Sequence, residues 1–296
     1  MIISTSEELR ELTGSFYANA DFTKISPLIE SVTLELERVI GRELMEQLID
    51  ENREHRNERA VVALKQAVAY MSVMRYNRLN DLSHETSGRK AKIDRENEAR
   101  PFEWQLARDD RAHLEEYYRA LDRMLYTLKD DPDYEKSDIA KRTEQLIITD
   151  GEQLEELVGL DSSPWLFLQM VPYLDESQRK VEKAYGDGFS DSAGNSDILH
   201  AARMATALGA VIIMAHRQSL QTLPYGLMTA IVQDGGGNTM QQPDLEDINA
   251  YIHKMRFSYK YWLNEMQTLR DKEAGTDVPH LHVPDNSDPH NKFFRV

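Results

Sequence analysis

The chain contains no cysteine, which removes disulfides, thiolate metal sites and thiol catalysis. Cations are scarce: 35 Lys and Arg stand against 51 Asp and Glu, for a formal charge of −16. That balance excludes a general phosphate-binding surface, which needs cations to displace counterions, and a basic helix lying on a membrane. It suits a surface that must not adhere to nucleic acid. The longest apolar run, ATALGAVIIMA at residues 205–215, is about half a bilayer span and predicts a helix buried on all sides. The opening MIISTSEELR has no basic segment leading into an apolar one, so no signal peptide is expected. Neither a nucleophile elbow nor a dinucleotide fingerprint occurs.

What is present is a sequence that starts over. Ile2, Ile3, Glu7, Leu9, Glu11, Leu12 and Gly14 recur 145 residues later as Ile147, Ile148, Glu152, Leu154, Glu156, Leu157 and Gly159, seven identities in thirteen positions. Average usage predicts about one. At the same offset Pro27 meets Pro172, Glu37 meets Glu182 and Gly41 meets Gly186. Further on, at 142, Tyr117, Leu121 and Met124 meet Tyr259, Leu263 and Met266. The 296 residues, 41% hydrophobic and 29% charged, therefore read as a tandem duplication. Halves of this size bury roughly two-thirds of their unfolded surface.

Each copy predicts the same local structure, and the fold class is mostly α. A β-prone start precedes a capping pair, Thr5 with Glu8 or Asp150 with Gln153. A short helix stops at Gly14 or Gly159. A second helix carries Ile25, Leu28, Ile29, Val32, Leu36, Val39 and Ile40 at helical spacing and ends at Gly41, or at Gly186 in the other copy. A third, the most apolar, is predicted near 57–82 and 197–222. A fourth shows Leu114, Tyr117, Tyr118, Leu121, Leu125 and Leu128 on one face, with its counterpart near 244–272. Each four-helix unit is expected to insert a β-hairpin between its third and fourth helices, around 84–96 and 227–242. The predicted domains are 1–138, 139–275 and an extended tail, 276–296. The polar connection KDDPDYEKSD at 129–138 is expected to bury little.

Chemistry-bearing clusters are few. Gly235, Gly236 and Gly237 follow a strand-like run but lack the Gly-Lys-Ser/Thr ending of a phosphate loop, so they predict a hairpin tip. Asp187, Asp191 and Asp197 do not follow the spacing of a calcium loop. His280, His282 and His290, with Asp285 and Asp288, form a metal-capable array only if the proline-broken tail is ordered. His200 and His216 read as ordinary helix residues. Arg89, Lys90, Lys92 and Arg95, interleaved with Asp94, Glu96 and Glu98, predict a solvated hairpin or a pairing surface for an acidic neighbour. No catalytic, cofactor or metal site is predicted. The residues singled out for protein contact are Gly88, Arg89, Lys90, Lys92, Gly235, Gly236, Gly237, Phe293 and Phe294.

The segments LIESVTLELERVIGREL and YLDESQRKVEKAYGDGF, each a long helix ending in Ile40-Gly41 or Tyr185-Gly186 with Leu44 or Phe189 shortly after, resemble the head–tail connector (adaptor, neck) proteins of tailed phages. PFEWQLARDD and YYRALDRMLYTL strengthen the similarity to a two-copy form encoded by phages and prophages of gut bacteria. Connectors usually carry one copy, and this chain departs from that. The resemblance implies a structural virion protein, assembled in the bacterial host cytoplasm as a homo-oligomeric ring, usually of twelve copies. Such a ring sits below the portal protein, touches neighbouring tail and neck proteins, and extends the DNA channel. It implies no enzyme activity, no cofactor, no membrane contact and no sequence-specific hold on the passing DNA. Two other readings stay open: a soluble helical protein-binding or regulatory module with an unknown partner, and an enzyme with a cleft between the copies.

Overall fold

A computed structural model describes residues 2–14, 21–54, 56–80, 82–85, 88–91, 102–131, 133–160, 162–187, 189, 194–218, 230–234, 237–241 and 245–275. The protein is mostly helical, as the apolar periodicity predicts. It divides into two compact units, one of residues 1–145, 149–152 and 161–169, the other of 146–148, 153–160 and 170–296.

In the first unit, α1 (Ser6–Thr13) begins where Thr5 Oγ1 accepts the Glu8 N–H at 3.1 Å, and it stops at Gly14 with φ +68°. The Glu8 carboxylate reaches back to the Ser4 N–H at 2.9 Å, one residue earlier than the predicted box. The β-prone residues before it form no strand, but Ile2 and Ile3 are buried in the core.

Helix α2 (Phe22–Ile40) buries Ile25, Ile29, Val32, Leu36 and Ile40, a stripe at intervals of three and four. Each fully buried aliphatic of this kind stabilises by about 1.5–3 kcal/mol. Pro27 lies inside the helix and cannot donate to the Thr23 carbonyl; the Ser26 hydroxyl donates to that oxygen instead, at 3.2 Å.

Gly41 ends α2 at φ +89° and opens α3 (Arg42–Ile49), a helix that the four-helix reading omits. Its buried Leu44, Met45 and Leu48 join the same core. Helix α4 (Glu58–Asn80) is buried along most of its length, and α5 (Glu103–Leu128) lays Tyr117, Leu121, Met124 and Leu128 against the core. The two helices run antiparallel, since Asn57 bonds Thr127 near one end and Arg78 bonds Asp110 towards the other. Between them β1 (Leu82–Glu85) pairs with β2 (Gly88–Ala91), Glu85 opposite Gly88. Residues 92–96 of the expected hairpin range lie outside the described residues.

The connection after α5 was expected to bury little, and most of its described residues are exposed or half-buried; the exceptions are Ser137 and Asp131, whose carboxylate is fully enclosed. Arg53 grips it with both terminal nitrogens, at 3.0 and 2.8 Å, and bonds Asp133 at 2.9 Å. The fork geometry makes this a strong pairing for a buried carboxylate. Composition marks the segment as polar, and polarity alone does not reveal a partner 78 residues upstream. Helix α6 (Asp138–Thr143) follows and places Ile139 in the first core.

Helix α7 (Gly151–Val158) contributes residues 151–152 to the first unit and 153–158 to the second, and it ends at Gly159, φ +64°, whose N–H bonds Glu155 O at 2.8 Å. Helix α8 (Pro164–Tyr185) contributes residues 164–169 to the first unit and 170–185 to the second, and it holds Pro172. Ile147 is tied in twice: its N–H bonds Gln178 Oε1 at 2.9 Å, and its carbonyl accepts from Arg203 at 2.7 Å. Helix α9 (Ser196–Gln218) packs against α10 (Leu245–Glu273), with His200 edge-on to Trp262 at 5.4 Å. Residues 196–217 have the length and hydropathy of a membrane span, longer than the eleven-residue run suggests. Two-thirds of the most apolar window is buried within the protein, which accounts for its composition without a bilayer. Strands β3 (Ala230–Asp234) and β4 (Gly237–Gln241) pair with Asp234 opposite Gly237. Residues 227–229 and 242 of that expected hairpin lie outside the described residues.

Candidate functional site

The residues nominated from sequence divide unevenly. Gly88, Arg89 and Lys90 belong to β2, and Gly237 opens β4. Lys92, Gly235, Gly236, Phe293 and Phe294 lie outside the described residues, as do Asp191, Arg95 and the histidines of the tail. Among the described residues no group of three His, Asp or Glu side chains could hold a metal. Asp197 sits in the first turn of α9, where its N–H bonds Asn195 Oδ1 at 3.1 Å. His200 packs on Trp262, and His216 meets Arg256 at 2.7 Å. These histidines serve helix packing.

A concavity among the described residues lies elsewhere, in the first unit. Glu58, Arg59, Val62, Ala63 and Gln66 from the first turns of α4 face Asp122, Arg123, Tyr126 and Thr127 from the last turns of α5. Glu152 and residues 162–164 complete a groove of about 740 Å³. Its floor is apolar: Val62 is 49% exposed and Tyr126 58%. Its walls are well held. Arg123 bonds Gln66 at 3.0 Å, and the Asn57 amide bonds Thr127 O at 2.7 Å. Asp122 accepts from Ser163 Oγ at 2.7 Å and the Trp165 N–H at 2.9 Å, while Ser163 Oγ accepts the Leu166 N–H. Gly151 must stay small nearby, because a Cβ there would lie 2.8 Å from Ser162 O. An apolar trough rimmed by carboxylates and guanidiniums has the make-up of a ligand-binding cleft.

A second exposed apolar feature is the start of α5, where Phe102 (67% exposed) and Trp104 (62%) stack with centroids 6.4 Å apart. Leu79, at the end of α4, is exposed as well.

The perturbed titrations are structural. Burial pushes the Tyr118 hydroxyl up to about 12 and Tyr117 higher still. A bidentate bond from Arg75, at 2.6 and 2.7 Å, holds the Glu35 carboxyl below its ordinary range. None of these three groups lines the groove.

Sequence reasoning did not nominate Val62 or Tyr126. Their neighbours Val61 and Leu125 are buried, and sequence spacing does not tell which member of an apolar pair on such a helix stays open, because adjacent residues such as Met124 and Leu125 are both buried in the same core.

Comparison with known proteins supplies no identity: no protein family matches the chain, and neither does any curated protein or solved structure.

Proposed function

We propose that this protein is a structural virion component, a head–tail connector that forms a ring below the portal and extends the DNA channel. The observation that carries the reading is a repeated helix ending. Gly14 and Gly159 stand at φ +68° and +64°, and Gly41 and Gly186 at +89° and +91°, each pair 145 residues apart. The glycine N–H groups bond Arg10 O and Glu155 O, then Glu37 O and Glu182 O, again at that offset. Ile25, Ile29, Leu36 and Ile40 are matched by buried Met170, Leu174, Val181 and Tyr185. This supports the tandem duplication, with the two strand pairs as equivalent insertions, and with it the two-copy connector resemblance. The charge of −16 suits a channel wall that repels DNA.

The stacked Phe102 and Trp104 favour a second reading, a helical protein-binding module acting alone. Negative-stain electron microscopy of the protein, alone and mixed with the portal from the same genome, separates them. The connector reading expects rings, or a collar on the portal. Small isolated particles in both samples would sink it in favour of the module. Deleting residues 233–239 is expected to block particle assembly while leaving the helical circular dichroism unchanged.

A further inference from the structure

We infer that the outer face of α10 binds single-stranded nucleic acid without sequence preference, through two exposed aromatic rings set among cations. The net charge of −16 keeps phosphate off the molecule as a whole, but this face is locally different. Residues 248–264 hold Lys254, Arg256 and Lys260 and no carboxylate. At the offset of 142, residues 106–122 of α5 hold five: Asp109, Asp110, Glu115, Glu116 and Asp122. Phe257 stands where that helix has Glu115. The acidic character of the chain is absent along this stretch, and aromatic bulk takes part of its place.

Successive helix residues turn by about 100°, so Lys254, Lys260 and Tyr261 fall within about 60° of Phe257, and all four are exposed. Phe257, at 76%, is the most exposed large apolar side chain among the described residues, and Tyr261 is 55% exposed. About 6 Å separates the two along the axis. The Tyr261 ring is held edge-on to Trp262 at 5.3 Å, and Trp262 to His200, so it meets a ligand already oriented. Lys254 and Lys260 join no ion pair among the described residues, and Arg256, at the edge of the face, meets His216 at 2.7 Å. A bilayer is a poor match, because the aliphatics of this stretch, Ile252, Met255 and Leu263, are buried or half-buried and two rings alone offer little to hydrocarbon. An acidic protein surface is a poor match too, since lysine is depleted at the core of protein interfaces and here two lysines flank the rings. Nucleic acid uses both parts of the face: bases stack on the aromatic rings and phosphates take the cations. Stacking is indifferent to base identity. Such binding needs no ring, so its presence or absence is read independently of the connector reading.

Fluorescence anisotropy of the full-length chain with labelled oligo-dT and oligo-rU, each of about twenty nucleotides and longer than a typical single-strand site, tests this. Binding to either is expected with a Kd of about 1–100 µM at about 0.1 M salt, the tighter one naming the sugar. Three phosphate contacts predict a slope of about −2 for the logarithm of affinity against that of salt. Lys254→Gln with Lys260→Gln should weaken binding at least about tenfold and flatten the slope to about −0.7. Phe257→Leu with Tyr261→Leu keeps apolar bulk and helix propensity, and should weaken binding at least about tenfold with the slope unchanged. All four side chains are exposed, so both variants should keep the circular dichroism of the parent. A parent chain that binds neither oligonucleotide overturns the inference without any variant. So does a leucine variant that binds as tightly as the parent, or duplex DNA of the same length bound as tightly as the single strands. Parent chains that ignore both oligonucleotides yet sediment with vesicles of equal parts phosphatidylserine and phosphatidylcholine would replace it with a membrane surface. Capture of polyglutamate alone would replace it with an acidic protein partner.

Discussion

A long helix ending in each unit stops at a glycine of nearly identical φ, in different surroundings. Helix α2 stops at Gly41, φ +89°, and a Cβ there would lie 3.3 Å from the Asp138 carboxylate. Helix α8 stops at Gly186, φ +91°, where the nearest atom would be an Arg270 nitrogen at 3.8 Å. Arg270 also donates to Tyr185 O and stacks on the Tyr185 ring at 5.7 Å, placing a cation where the helix dipole favours one. The cores diverge too. Val32 of the first unit is buried among aliphatics, and 145 residues on stands Ser177, its buried hydroxyl without a hydrogen-bond partner among the described residues. A Cβ on Gly209 would overlap Ser177 Oγ and come within 3.0 Å of the Tyr259 ring. At this position the second unit sets a serine against a glycine where the first buries a valine, although α4 of the first unit also buries small residues, Ala60, Ala63, Ala67, Ala69 and Ser72. Backbone endings at matched positions coexist with side-chain solutions that differ.

The largest expected effect tests the core half of this comparison. Leu36→Ala should destabilise the first unit by about 2–5 kcal/mol. Val181→Ala, at the matched position, should cost the second unit less because it leaves a smaller cavity. Hydrogen exchange resolved by peptide assigns each loss to its own unit; a larger loss at Val181 would break the comparison. Next comes Asp131→Asn, which leaves Arg53 half-buried with Asp133 as its remaining carboxylate partner among those shown. About 3 kcal/mol should be lost, read as a lower denaturation midpoint, with protection falling first around residues 50–58 and 127–137.

Gly41→Ala and Gly186→Ala come third, each costing about 1–2 kcal/mol for a side chain at positive φ. Gly41 should cost more because of Asp138, and equal melting shifts would mean that backbone conformation alone decides. The smallest effect is alkaline. Burial raises Tyr118 to about 12 from an ordinary 10.0, so its contribution is intact below pH 10 and declines as pH rises towards 12, where unfolding releases a proton. Absorbance titration near 295 nm should show this tyrosine ionising late, together with a falling melting temperature. Ionisation at the ordinary value would contradict the burial.

Much of the fold was legible because helix signals are local. The apolar stripe of α2, the stops at Gly14, Gly41, Gly159 and Gly186 and the buried character of α9 all follow from residue type and spacing within a few turns. Helix α3 went unread because Gly41, taken as an end, also serves as a beginning. The candidate groove was not legible as a site, since it needs the start of α4 and the end of α5, more than fifty residues apart, side by side.

The amino-acid order by itself determined the helical class, the offset of 145 and the acidic surface, because periodicity, capping chemistry and net charge are properties of neighbouring residues or of their sum. Tertiary structure alone decided that Arg53 encloses Asp131, that Val62 and Tyr126 stay open to solvent, and that Gly209 admits Ser177 and Tyr259. Those outcomes depend on which distant side chains arrive at the same place, and packing sets that after the local structure has formed.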